Sequence, residues 1–541
     1  MSTHQPKVPG HFACELDAKV EGLPEFQIAT FDNSPFPDEV LTYKDIVLAG
    51  RKLANALLHV GIGKGDRFAV EMRNHPEFLY SFYAASTLGA TVIVIDPRTR
   101  GSRLEYVLKD SKSKGIIFTS ELMEDVDEVL QGLPDVKVIG VAYKDGMDVP
   151  VSEKHPSLNE ILTGPEVPPP EPRSEELDIP FEVIYTSGTT GDPKGVVLKG
   201  SRMAPFAMVA QLIWEYKPED KLYTGLSLTH GNAQAVTMIP SLLMAVPSVF
   251  SRRFTKSRIW DICRKHGCTT FSLLGGMMMG IYSEPEKPDD GENPVQIVLS
   301  AGTPKAIWKA FEKRFHVRIH EWYGAVEGGL AHNPVGVGPI GSFGKPPEGF
   351  IEMKVVREDG TDCAPYEVGE LISRAVGQKA EVEYLGKKKA SEEKTRGGWL
   401  RSGDMCHTDE EGWFYFDYRK GGGLRRSGDF IMPEHVEAVI ATHPAVTEVC
   451  VYGVPAASGA PGEVDLVAAL VAAPGHTIDA KSIFETFMAG LEKNAVPSYL
   501  QVVDEIPKTI SEKNLDRVLK ERFRADAENV YRLEDFTSVN L

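Results

Sequence analysis

The sequence predicts an α/β protein built from a large multi-sheet N-terminal domain and a small mobile α/β C-terminal domain. Three observations carry that expectation. Helical and strand periodicities alternate from about residue 41 onward. A glycine- and threonine-rich loop, Tyr185 to Gly195, is fed by one strand signal and left by another. Three consecutive glycines, 421 to 423, then break the chain before a last short run of helix and strand signals, and glycine gives a connector the backbone freedom of a hinge.

Tyr43 to Val60 carries apolar residues at helical spacing. Phe68 to Met72 reads as a short strand, Phe78 to Leu88 as a helix, and Thr91 to Ile95 as a buried strand closed by Asp96-Pro97. Gly115 to Thr119 and Val136 to Val141 read as further strands, so a mostly parallel sheet covered by helices is expected. The proline-rich stretch from Gly164 to Pro172 is too polar for a core element and reads as a link. Phe181 to Tyr185 and Val196 to Leu198 are strands on either side of the loop, with β/α alternation continuing to about residue 410. Past the triple glycine, Pro433 to His443 reads as a helix with proline in its first turn and Val436, Val439 and Ile440 on one face. Glu448 to Val454 and Leu466 to Val471 read as strands, and Ile483 to Leu491 as a helix. The expected domains are 1–420 and 421–541.

Composition narrows the function classes. Apolar residues at 42 % and charged residues at 25 % describe a soluble globular chain. A net charge of −18 repels phosphate backbones, which argues against nucleic acid as a partner. It leaves room for a nucleotide site, where a few local lysines and backbone N–H groups suffice. The six cysteines form no C-x-x-C pair, which points to a reducing, cytoplasmic setting without a disulfide framework or zinc site. The start, MSTHQPKVPGHF, has no apolar signal core, and the longest apolar stretches, Thr91 to Ile95 and Met238 to Phe250, are too short for a membrane span.

The segment YTSGTTGDPKG, Tyr185 to Gly195, is the most specific signal. Its glycines let the backbone bring N–H groups toward an anion, Thr186, Ser187, Thr189 and Thr190 add hydroxyl donors, and Lys194 supplies a point charge. A polyphosphate needs that combination. The Walker pattern Gly-x-x-x-x-Gly-Lys-Ser/Thr is absent, as is G-x-S-x-G, which disfavours P-loop NTPases and α/β-hydrolases.

This loop resembles the signature loop of adenylate-forming enzymes: acyl-CoA synthetases, luciferases and peptide-synthetase adenylation domains. The resemblance continues in order from about residue 40 to 520. It implies that Thr186, Ser187, Gly188, Thr189, Thr190, Gly191 and Lys194 hold ATP phosphates, and that Thr186 and Glu327 hold Mg²⁺. LSLTHGNAQ, Leu226 to Gln234, is similar to the family's Pro-Leu-Phe-His element, so His230 would line the acyl pocket, with Ser227 and Thr229 at the usual Pro and Phe positions. Gly302, Thr303 and Pro304 match the small-residue turn beside adenine. EWYGAVE, Glu321 to Glu327, matches Tyr-Gly-x-Thr-Glu, which places Trp322, Tyr323 and Gly324 at the nucleotide and leaves Val326 where the family has threonine. WLRSGD and GWFYFDYR imply that Asp404 and Arg419 hold the ribose. Gly422 stands at the usual hinge aspartate or lysine. Arg425, Arg426, Ser427 and Gly428 belong to the loop bordering the CoA channel, where Phe430 replaces the usual asparagine. PKTISEKNLDR resembles the terminal lysine loop, with Lys513 at the catalytic position and Glu512 at a common glycine.

The resemblance is closest to AMP-forming ligases of the crotonobetaine/carnitine–CoA and fatty-acid type. It implies acyl-adenylate formation from ATP and a small-molecule carboxylic acid, then transfer to coenzyme A as the small domain turns. Met277, Met278 and Met279 are equally read as acyl-pocket lining or core packing. An adenylating enzyme with a carrier-protein acceptor, and a non-catalytic nucleotide or acyl sensor motivated by Val326 and Glu512, stay open, as does assembly as a homodimer.

Overall fold

The structure, a computed structural model, describes residues 7–536 apart from 147–150, 169, 172, 187–192, 283, 306, 420–423, 442, 461, 474, 508–513 and 515. Two sheets make the body of the large lobe. One runs Lys137–Ala142, Gly115–Thr119, Arg67–Glu71, Thr91–Ile95, Pro180–Thr186, Lys194–Lys199, parallel except for the antiparallel last pair. The other has eight strands in the order Gly328–Asn333, Arg318–Ala325, Ile297–Ala301, Thr270–Leu274, Leu222–Thr224, Ser248–Ser251, Gln27–Asp32, Glu39–Thr42, parallel in its middle and antiparallel at both edges. The strand Thr91–Ile95 is buried at every position, as its unbroken β-branched run requires in a sheet covered on both faces.

Between the sheets lies the helix Pro76–Leu88, buried along its whole length. Proline at its first turn and Gly89 in the left-handed conformation at its end set its limits. Phe82 anchors it, its ring lying 6.3 Å from Phe12, 4.9 Å from Phe78 and 5.3 Å from Phe181. The helix Tyr43–His59 packs alongside, started by a reciprocal cap in which the Thr42 N–H donates to Asp45 at 2.8 Å and the Asp45 N–H to Thr42 Oγ1 at 3.2 Å.

One expectation needs correction. The β/α alternation does not run to residue 410: Ile351–Val356, Gly369–Ala375, Leu400–Thr408 and Phe414–Arg419 form an antiparallel four-stranded sheet. The strand Leu400–Thr408 alternates buried and half-buried side chains, the two-residue period of a sheet with one wet face. The proline-rich stretch is held on the surface, where Lys52 donates to the Leu162 and Gly164 carbonyls at 2.8 and 2.7 Å and Asn55 to that of Pro168 at 3.2 Å.

After the hairpin Leu424–Arg426/Asp429–Ile431, the C-terminal sheet orders Val446–Pro455, Val464–Ala472, Tyr499–Val502 and Val530–Arg532 around its own apolar core, with Val436, Leu466, Phe484 and Phe487 fully buried. Among the described residues, no helix is long and apolar enough to cross a membrane.

Phe82 makes ring contacts to Phe78 of its own helix, to Phe12 of the helix Phe12–Gly22 and to Phe181 of the strand Pro180–Thr186. Phe82→Ala should therefore destabilise the large lobe by about 3–5 kcal/mol, read as a lower denaturant midpoint; an unmoved midpoint would mean that this interior closes without it.

Candidate active site

Parallel strands deliver their carboxyl ends to one rim, the usual ligand position of α/β sheets. Thr91–Ile95 leads to Asp96, Pro180–Thr186 to the phosphate-type loop, Ile297–Ala301 to Gly302, and Leu222–Thr224 toward His230. These ends open into a cavity of about 2240 Å³ whose far wall comes from the small lobe, through Arg425, Gly428, Asp429, His435, Glu492 and Asn494.

The turn after Ile297–Ala301 is fixed from below. Glu321, fully enclosed, accepts the Gly302 N–H at 2.6 Å and the Thr303 N–H at 3.1 Å. Gly302 has φ +81°, a conformation that favours glycine. Burial pushes the Glu321 carboxyl up to about 7, although the two N–H donors and the charge of Arg425 oppose the shift. Thr303 Oγ1 also donates to Ser300 at 2.6 Å.

Beside this turn, Tyr323 Oη donates to Asp404 at 2.5 Å, and its ring sits 4.7 Å from Phe343. Asp404 pairs in register with Arg419 across the antiparallel sheet. Glu327 accepts from Tyr384 Oη at 2.9 Å, with Lys394 Nζ at 3.9 Å on the same oxygen. Lys194 lies over the Tyr384 ring at 5.4 Å, which ties the end of the loop to this corner. Glu327 Oε2 takes no hydrogen bond among the described residues. A Glu327 oxygen without a protein hydrogen bond, in the cavity that Thr186 also lines, suits Mg²⁺, which takes one or two protein oxygens and completes its shell with phosphate and water.

His230 stands on a segment held by buried amides. Asn74 donates to the Leu226 and Ser251 carbonyls at 2.8 and 2.9 Å and accepts the Leu228 N–H at 2.8 Å. Gln234 donates to Leu228 at 2.8 Å and to Glu182 at 2.6 Å. Burial pushes Glu182 up to about 8, so this carboxyl is neutral through most of the ordinary pH range.

A charge cluster joins the lobes. Arg98 grips Asp96 with two bonds of 2.8 Å and reaches Asp429 of the small lobe at 3.2 Å. His230 Nε2 lies 3.4 Å from Asp96 and 4.0 Å from Asp429, its ring 41 % open to a cleft that surrounds it. Arg103 meets Glu492 at 3.2 Å. Burial alone would depress His230, but its hydrogen bond to Asp96 and the charges of Asp429 and Asp96 outweigh it and raise its pKa above 6.5. Gly428, at φ +85°, lies so close to Leu274 that a Cβ there would sit 2.4 Å from Leu274 Cδ1. Glu463 holds its turn from behind, accepting the Ser427 and Gly428 N–H groups at 3.2 and 3.1 Å.

Thr186, Lys194, His230, Gly302, Thr303, Trp322, Tyr323, Gly324, Glu327, Asp404, Arg425 and Gly428 all line the one cavity. Trp322 is mostly core, 8 % exposed and edge-on to Trp214 at 5.5 Å. Pro304 lies next to the lining, and Arg426 turns into the small lobe, donating to the Asn494 carbonyl at 3.3 Å and to that of Val496. Ser187, Gly188, Thr189, Thr190, Gly191, Gly422 and Lys513 lie outside the described residues, as does the side chain of Arg419. Asp96, Arg98, Glu182, Glu321, Tyr384, Lys394 and Glu463 had no role in the sequence reading. A charged residue within an apolar strand, as in PFEVIYT or RIHEWYG, was the signal available for Glu182 and Glu321.

A profile of the family described as AMP-binding enzyme matches residues 16–378, and one for the AMP-binding enzyme C-terminal domain matches residues 435–513. The chain is 28 % identical over 512 residues to long-chain fatty acid transport protein 2 of Rattus norvegicus, covering 88 % of this chain and 80 % of that one. It is 28 % identical over 504 residues to the medium/long-chain-fatty-acid–CoA ligase FadD17 of Mycobacterium tuberculosis, covering 92 % and 94 %. Among solved structures, o-succinylbenzoate CoA synthetase (MenE) of Bacillus subtilis bound with its product analogue OSB-NCoA matches with a TM-score of 0.77 at 22 % identity, over 96 % of this chain and 99 % of that one. The same enzyme in complex with the acyl-adenylate intermediate OSB-AMP gives 0.65, also at 22 % identity, over 97 % and 99 %.

Two measurements probe this geometry. Glu321 titrates at about 7 when folded against an ordinary 4.5, so its contribution is full below 4.5 and lost as pH rises through 7. Against Glu321→Gln, which does not titrate there, the native protein should lose about 3 kcal/mol across that window; parallel stability–pH curves would contradict it. His230, followed by NMR, should titrate above 6.5, with Asp429→Asn lowering its pKa and Asp96→Asn lowering it too; an unchanged His230 would mean that neither pairing forms in solution.

Proposed function

The chain belongs to the AMP-binding enzyme family, and from that membership we propose that it is an AMP-forming carboxylate–CoA ligase: it joins a carboxylic acid to AMP, then passes the acyl group to coenzyme A. The observation that carries the proposal is one cavity gathering Thr186 and Lys194 at the two described ends of the phosphate-type loop, the Glu321-pinned turn, the Tyr323–Asp404 pair and Glu327 against a small-lobe wall. Aliphatic acids are the substrate class, as the names of the transport-protein and FadD17 relatives suggest.

In the first half-reaction the acid's carboxylate oxygen bonds to the α-phosphorus, and the bond to pyrophosphate breaks. Thr186 to Lys194 receive the phosphates, Tyr323 and the Gly302–Thr303 turn receive adenine, and Asp404 with Arg419 receives the ribose. The chain's contribution is positioning and donors fixed before reaction. Thr186 and Glu327 would hold Mg²⁺, which supplies positive charge against the triphosphate. Lys513 steadies the charge developing at the α-phosphate. Val326 brings no hydroxyl there, a loss of about 0.5–1.5 kcal/mol that slows the step without abolishing it.

In the second half-reaction the CoA thiol attacks the acyl carbonyl and AMP leaves. The 424–431 hairpin lies in the cleft with Gly428 against Leu274, the placement a thiol channel needs. We place the domain boundary at 420/421, with Gly422 in the pivot. Arg425 faces the cavity on the CoA side. The six unpaired cysteines support a reducing cytoplasm. Monomer and homodimer are both compatible with this reading.

Incubation of an acid panel with ATP, Mg²⁺ and CoA should release AMP with at least one aliphatic acid; ADP release, or none with any acid, overturns the proposal. Lys513→Ala should slow adenylation about 10²- to 10³-fold and spare CoA-dependent consumption of preformed acyl-AMP. Equal losses in both steps would remove Lys513 from that role.

A further inference from the structure

Resting on the ligase reading, we propose that Arg202 binds the carboxylate of the acid before it is adenylated and so orients the nucleophile. Arg202 ends the short turn Gly200–Arg202, directly after the strand that leaves the phosphate-type loop. Its Nη1 donates to the Val326 carbonyl at 3.2 Å, one residue before Glu327. It lines the cavity, and among the described residues no carboxylate pairs with it. Burial disfavours its charge, and the charge of Glu327 opposes that only from a distance. A half-buried guanidinium with spare donors and no paired carboxylate is suited to an anion, and its planar fork suits a carboxylate.

Its neighbours distinguish a carboxylate from a nucleotide phosphate. Phe206 and Val209 follow at i+4 and i+7, the spacing of one helical face, and both line the cavity. Trp214 and Val236 continue the apolar wall. Val326 lies close to Gly231, with its Cγ2 only 3.1 Å from where a Cβ on Gly231 would lie, and both line the cavity. A cation at the head of an apolar stripe, held to the carbonyl of Val326 one residue before Glu327, matches an amphipathic molecule with an anionic head and an aliphatic tail. Once the carboxylate is joined to the α-phosphate as a mixed anhydride its own charge is gone, so Arg202 acts in the first half-reaction only.

The test compares the native protein with Arg202→Met and Arg202→Lys, using octanoate, dodecanoate and benzoate in acid-dependent ATP–pyrophosphate exchange and synthetic dodecanoyl-AMP in CoA-dependent AMP release. Loss of one charge-assisted contact should raise the KM for the acid about 10- to 100-fold in Arg202→Met. Arg202→Lys should fall between, while the KM for ATP and the consumption of dodecanoyl-AMP stay within about twofold of native. An unmoved acid KM, a rise confined to the ATP KM, or equal damage to both half-reactions overturns the role of Arg202 and leaves the ligase reading standing. No exchange by the native protein with any acid sinks the ligase reading itself.

Discussion

A carboxylate sealed beneath a backbone turn is the interaction on which this cleft depends. Glu321 accepts two N–H groups from the Gly302–Thr303 turn, and without it those donors would face an apolar interior. Glu463 repeats the device on the opposite wall, under Ser427 and Gly428. Glu182 anchors Gln234, which in turn fixes the carbonyl of Leu228 next to His230. Each buried carboxyl costs stability that an apolar residue would not. Such a cost is expected where backbone must present itself to a ligand in one conformation.

Charge is organised on two scales. The chain carries a net charge of −18, yet Lys194, Arg202, Lys394 and Arg425 line the cleft. An acidic chain disfavours polyanions at its surface, while cations gathered in a cleft lie where each charge counts for more than in open water. The same economy ties the lobes together. Asp96 and Arg98 form a forked pair on the large lobe, and Asp429 meets it from the small one.

The fold was legible wherever local pattern decides structure. The strands Thr91–Ile95 and Gly115–Thr119 fall where their apolar runs placed them, because a strand covered on both faces leaves no ambiguity of period. The antiparallel sheet from Ile351–Val356 to Phe414–Arg419 was missed, since half-buried strands separated by turns and the short helix Lys388–Lys394 imitate β/α alternation. Within the site, ordered motifs named Thr186, His230, Glu327 and Asp404 ahead of any coordinates, and the fold gathers all four at one cavity. Partners across the lobes left no local trace: Arg103 and Glu492 are 389 residues apart in sequence. Glu321 was visible as a residue, but its role depends on a turn delivered by a neighbouring strand.

The most direct measurement is isotope exchange between pyrophosphate and ATP in the absence of coenzyme A. If the cleft joins a carboxylic acid to AMP, exchange will appear only when a suitable acid is present and will vanish when the acid is replaced by its primary amide. Exchange that ignores the acid, or its absence across aliphatic and aromatic acids alike, would contradict acyl-adenylate formation in this cleft.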